Sequence, residues 1–163
     1  SPAAYRRRVK GPVAFAVGIV RGLEGNVGPV RLAEALESLG QVLFAPPSVK
    51  GWDGGPAWLN GQTLLFRQNL ALALTSTEDP RFGRRCDPAA THGKATDADA
   101  VDFFLGVFLQ HDVPADARGR LADYLATSRG TKYPVYWTAD DVANHRVRTA
   151  AHLALTLPEF QLD

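Results

Sequence analysis

The side chains best able to hold or transform a ligand are concentrated between Gly40 and Asn69, in GQVLFAPPSVKGWDGGPAWLNGQTLLFRQN. Lys50 and Asp53 can form a local ion pair or project into a pocket, and Trp52 and Trp58 offer flat apolar faces. Gln41, Asn60 and Asn69 add amide donors and acceptors, while Arg67 places one cation on an otherwise apolar segment. Pro46 and Pro47 remove two backbone donors and restrict two successive φ angles; Gly51 permits a turn. A loop this rich in bulky and conformationally special residues is specified rather than tolerant. Two roles compete for it. As a structural clamp, Trp52 and Trp58 pin the returning chain against the helices. As a ligand site, they stack on a polar polymer such as a glycan while Lys50, Asp53 or Asn60 make polar contacts. Hydrolysis by paired carboxylates needs a second acid. Neither that acid nor an activated nucleophile accompanies Asp53 here, so no catalytic residue is assigned.

Arg67 must be satisfied if it is buried, by a carboxylate or by several backbone carbonyls. Lys50, Asp53 and Glu159 lie in the segments considered as its neighbours, and the alternative is a side chain that reaches out to water. Elsewhere the reactive groups are scattered. His145 and His152 share a helical face with Thr149 between them, but about 10 Å of axial separation is too far for one metal ion. His111-Asp112 and His92 complete no compact ligand spacing, so no metal or cofactor is expected. Cys86, in Arg84-Arg85-Cys86-Asp87, has basic neighbours that favour a thiolate, yet no local histidine motif joins it. It reads as an incidental loop thiol.

These residues must be positioned by helices. Gly11-Pro12 opens one over 12–24, with Val13, Ala16, Val17, Val20 and Leu23 at helical spacing. Pro29 opens a second, ended by Gly40. Asn60 caps a third over 61–76. A fourth runs from about Asp99 to Gln110, a fifth from Pro114 to about Ser128. The last follows Thr138, whose hydroxyl can cap it with Asp141 three positions on, and stops at Pro158. Residues 77–97, punctuated by Pro80, Gly83, Pro88 and Gly93, read as a mobile surface excursion. No alternating series demands a sheet. The expected fold is an all-α irregular bundle of about six helices with one structured Pro/Gly/Trp-rich loop, in a single domain over 1–163.

Composition bounds the partners. The chain has 163 residues, 45% of them hydrophobic, enough for one sizeable core. Eighteen Lys and Arg against seventeen Asp and Glu give a net charge of +1, which provides no general attraction for nucleic acid. The Arg6–Lys10 basic run is expected to be solvated. One cysteine rules out an internal disulfide without fixing the compartment. No apolar run reaches the roughly 20 residues of a membrane span.

Taken together, Gly40-Gln41-Val42-Leu43-Phe44, Pro46-Pro47, Val49-Lys50-Gly51-Trp52, Trp58-Leu59-Asn60 and the helix with Arg67 and Asn69 resemble DUF1800, a large bacterial family of uncharacterised proteins. The ending His152–Gln161 and the start Lys10-Gly11-Pro12 with Arg21 resemble it too. The resemblance implies a mainly helical fold and a longer parent protein of which this is the carboxyl-terminal part. It also implies export, to the periplasm or beyond, with the cytoplasm as the alternative. It transfers no catalytic residues. The function expected is a noncatalytic structural or interaction module meeting another segment of its parent or a protein partner. A glycan-binding or hydrolytic domain is the alternative.

Overall fold

The computed structural model of the chain describes residues 6–76, 86–93, 96–127 and 133–163. Among these the α-helices are α1 (Pro12–Gly22), α2 (Pro29–Ser38), α3 (Gly61–Thr75), α4 (Pro88–His92), α5 (Asp97–Leu109), α6 (Ala115–Thr127) and α7 (Ala139–Thr156). Two 3₁₀ turns, Gly55–Trp58 and Pro158–Gln161, flank α3 and close the chain. The expected all-α irregular bundle is what forms, with one more helix than sequence periodicity placed. No sheet forms among the described residues; an isolated antiparallel bridge pairs Val9 with Leu162.

The helices begin where side chains satisfy their first amides. Asn60 Oδ1 accepts from the Thr63 amide at 2.9 Å, and the Asn60 amide donates back to Thr63 Oγ1 at 2.9 Å. Thr138 and Asp141 make the same reciprocal pair at the start of α7, at 2.8 and 3.1 Å. Thr96 and Asp99 do so for α5, which therefore starts two residues earlier than apolar spacing alone suggested. Each such cap is worth about 1 kcal/mol.

α7 is the central element and packs against α3, α4, α5 and α6. Its buried residues include Val147, Ala150, Ala151 and Ala154, small enough to bring the neighbouring helices close. α5 brings Phe104 and Phe108 to the core, and Phe160 from the closing turn lies between Phe108 and Phe15, at ring distances of 5.5 and 5.4 Å. A forked contact from Arg146 to Asp97, with a further bond to the Leu125 carbonyl at 2.7 Å, ties α7 to the start of α5 and to α6.

Two expectations change. The 77–97 stretch is described only at 86–93 and 96–97, and the first part carries α4, packed on α7. Asp87 caps it by accepting from the Ala89 and Ala90 amides and also pairs with Arg148 at 2.8 Å, so this piece belongs to the core rather than to a loose excursion. Residues 77–85 and 94–95 lie outside the described residues. The basic run is not uniformly solvated either. Arg6 reaches Asp112 at 3.7 Å and Lys10 Nζ sits 4.2 Å from the centre of the Phe160 ring, leaving Arg7 and Arg8 exposed.

Two helical glycines separate packing from propensity. A methyl group on Gly22 would collide with the Phe108 ring, which Phe104 and Phe160 hold in place. One on Gly106 would lie 2.8 Å from Nε2 of the exposed His111, which can swing away. Gly106→Ala is therefore expected to gain about 0.5–1 kcal/mol from helix propensity. Gly22→Ala is expected to lose about 1–3 kcal/mol to overpacking despite the same propensity gain. Urea denaturation of the two variants checks the opposite signs.

Candidate functional site

The 40–60 loop is held at its base and open at its crest. At the base, Gln41 Oε1 accepts from the Val13 amide at 3.2 Å, satisfying one of the unpaired donors at the start of α1. Trp58 lies against the same place: a methyl on Gly11 would be 3.7 Å from its Nε1, and one on Gly54 3.8 Å. The Trp58 carbonyl accepts from Thr63 Oγ1 at 3.0 Å, joining the loop to the cap of α3. Trp52 and Trp58 are each half-buried. Neither is a freely exposed stacking platform.

The crest behaves differently. Residues 42–50 are all exposed, including Val42, Leu43, Phe44 and Val49, with Phe44 at 98%. Phe44 also has a φ of 63°, a left-handed conformation that a bulky residue rarely adopts. Pro46 and Pro47 are exposed, and Gly51 turns at φ 88°, its amide donating to the Ser48 carbonyl at 3.0 Å. The Lys50 amide donates to Ser48 Oγ at 3.2 Å. Lys50 and Asp53 are both exposed, and among the described residues they form no ion pair with each other.

Arg67 is fully buried, which overturns the water-reaching alternative and also the partners considered from sequence. Neither Asp53, Glu159 nor Lys50 meets it. Its Nη2 donates to the Lys10 carbonyl at 2.6 Å and its Nη1 to Gln161 Oε1 at 3.2 Å, while the guanidinium carbon stands 4.8 Å from the centre of the Phe15 ring. Nε has no hydrogen-bond partner. A cation in this setting is stabilised by one carbonyl, one amide oxygen and an aromatic face rather than by an opposite charge, and burial pulls its pKa down to about 10. Asn69, two positions along α3, is exposed and takes no part. The structure thus gathers Gln41, Trp58, Asn60 and Arg67 around the entry to α1 and α3, and leaves Pro46, Pro47, Lys50, Asp53 and Asn69 in solvent.

A second concavity was not assembled from sequence. It is a cleft of about 750 Å³ between α7, the end of α3, α6 and Asp87. His145, Thr149 and His152 line one wall, confirming that their spacing puts them on one face. Leu72 and Thr75 of α3 face them, with Tyr124 and Trp137 at other edges. Arg148 crosses the floor, donating to Asp87 Oδ1 at 2.8 Å and to the Thr75 carbonyl at 3.1 Å. Desolvation lowers the pKa of His152, whose Nδ1 is buried without a hydrogen-bond partner. Cys86 is buried, and desolvation pushes its thiol up to about 11, so at neutral pH it is a protonated thiol rather than a nucleophile. Among the described residues, no three His, Cys, Asp or Glu side chains are grouped to hold a metal ion, and no helix is long and apolar enough to cross a membrane.

Residues 1–162 match the family described as protein of unknown function (DUF1800). The chain belongs to the DUF1800 family. No curated protein and no solved structure matches it. Membership in DUF1800 spans both halves of the Arg67 contact, Lys10 and Gln161, as well as the loop and the cleft. The family description assigns no activity, so the chemistry of this DUF1800 chain rests on its own geometry.

Two outcomes test that geometry. Arg67→Ala should cost about 2–5 kcal/mol, from a large buried truncation and an unpaired Lys10 carbonyl. Arg67→Lys should not restore it, because an ammonium lacks the planar fork that spans two acceptors. Guanidinium titrations of both variants provide the measurement. The His152 pKa is depressed on folding, so the unfolded state takes up the proton first as pH falls below the ordinary value of 6.5. Stability is therefore present above that value and is lost toward the lower folded pKa. The denaturation midpoint should fall between pH 7.5 and 5.5, and His152→Gln should flatten that fall.

Proposed function

We propose that this chain is a noncatalytic interaction module that docks through the crest of its 40–60 loop into an apolar recess on a protein partner. The observation that carries the reading is the exposure of Val42, Leu43, Phe44 and Val49 within eight residues, on a loop whose two ends are fastened. Apolar side chains grouped and turned outward on an anchored support are the usual composition of a binding patch. Phe44 in a left-handed conformation adds to this, since backbone strain of about 1–2 kcal/mol is retained where presenting a side chain is useful. The half-buried state of Trp52 and Trp58 disfavours the loop as a glycan-stacking surface, and exposed Asp53 has no ion pair among the described residues.

Hydrogen exchange tests the docking. The amides of residues 42–45 and 48–50 should exchange at least about tenfold more slowly in the native assembly than in the purified chain. The double variant Phe44→Ser with Val49→Ser should leave that assembly while keeping its own melting temperature. Equal exchange in both states, or full retention of the folded double variant, would reject the proposal.

A further inference from the structure

We propose that the cleft along α7 is a binding site for a neutral saccharide, independent of the partner-docking loop. Its size is the first argument. About 750 Å³ falls in the range of small-molecule sites and suits a short run of sugar rings.

Its charges are the second. Arg148, the cation of the floor, is engaged by Asp87 and by the Thr75 carbonyl. Asp141 accepts from the Thr138 amide and hydroxyl, and it sits in the first turn of α7, where the helix dipole favours a carboxylate. Burial of His152 favours its neutral imidazole. Arg148 is thus paired within the protein and is the one Lys or Arg among the described residues that line the cleft, which gives an anionic ligand little to hold. Hydrogen-bonding groups remain: the second oxygen of each carboxylate, the Asn144 amide and the Thr149 oxygen can accept from or donate to hydroxyls.

Aromatic placement is the third argument. Tyr124, 55% exposed, and half-buried Trp137 line the cleft; Tyr133 and His145 pack on Trp137 at 5.6 and 5.3 Å, so Tyr124 supplies the open ring. Tyr136, next to Trp137 in the chain, is 80% exposed. Tyr124 thus lines the concavity, and Tyr133 backs the Trp137 ring at its edge. Flat apolar faces combined with uncharged polar contacts match a sugar ring, which has apolar C–H faces and a hydroxyl perimeter.

Calorimetric titration of the purified chain decides the matter, using cellohexaose, maltohexaose, xylohexaose and chitohexaose as neutral probes and a galacturonate hexamer as the anionic comparison. At least one neutral oligosaccharide should bind saturably with a Kd below about 1 mM. Tyr124→Ala and Asn144→Ala, both at exposed positions, should each weaken it at least about tenfold without altering the melting temperature. Phe44→Ser with Val49→Ser should leave it unchanged, which separates this site from the loop. Absence of saturable binding by every neutral probe would overturn the assignment. So would preference for the galacturonate, or binding insensitive to both cleft variants.

Discussion

A buried guanidinium without a carboxylate partner is the constraint around which this fold is arranged. Arg67 reaches from the middle of α3 to the backbone just before α1 and to the side chain of Gln161 at the closing turn. The turn and the start are also joined directly, with the Lys10 amide donating to the Gln161 carbonyl at 2.8 Å and the Asp163 amide to the Arg8 carbonyl at 2.7 Å. Leaving this cation unsatisfied inside the core would cost several kcal/mol. Any arrangement that retains it there must therefore keep the entry to α1, the centre of α3 and the end of the chain together.

The 40–60 loop depends on that same junction. Gln41 and Trp58 both lean on the first residues of α1, the segment that Arg67 fixes from the opposite side. The loop's crest can be open because its base is not. The cleft is organised separately, its floor set by Arg148 on α7 and by Asp87, the cap of α4. Each concavity or protrusion rests on its own arginine: Arg67 uses neutral acceptors, whereas Arg148 uses an ion pair.

Local features were legible in the sequence and distant ones were not. Asn60 and Thr138 could be named as caps because the groups they satisfy lie three residues away. Arg67 stood out as a lone cation on an apolar helix, but its acceptors lie 57 and 94 residues away, and no spacing rule reaches that far. α4 escaped notice because five residues cannot display a period; its position follows from Asp87 and its contact with Arg148. The Pro/Gly/Trp loop was recognisable as specified, yet residue type alone could not tell which apolar side chains anchor it and which face solvent. For the cleft, the His145–Thr149–His152 wall followed from helical geometry, while the opposing wall from α3 and Tyr124 required the fold.

The junction of the Lys10 and Gln161 segments also bears on how the chain folds during synthesis. Synthesis is vectorial, so α1 and α3 emerge long before Gln161, the last residue to reach Arg67. Until that residue appears, the guanidinium has only the Lys10 carbonyl as its protein acceptor, and Phe160 is missing from between Phe15 and Phe108. Closing so long a loop is entropically late in folding. A ribosome-held chain still lacking residues 160 and 161 would thus carry an incomplete aromatic core and a hydrated arginine, and would lock only once those residues dock.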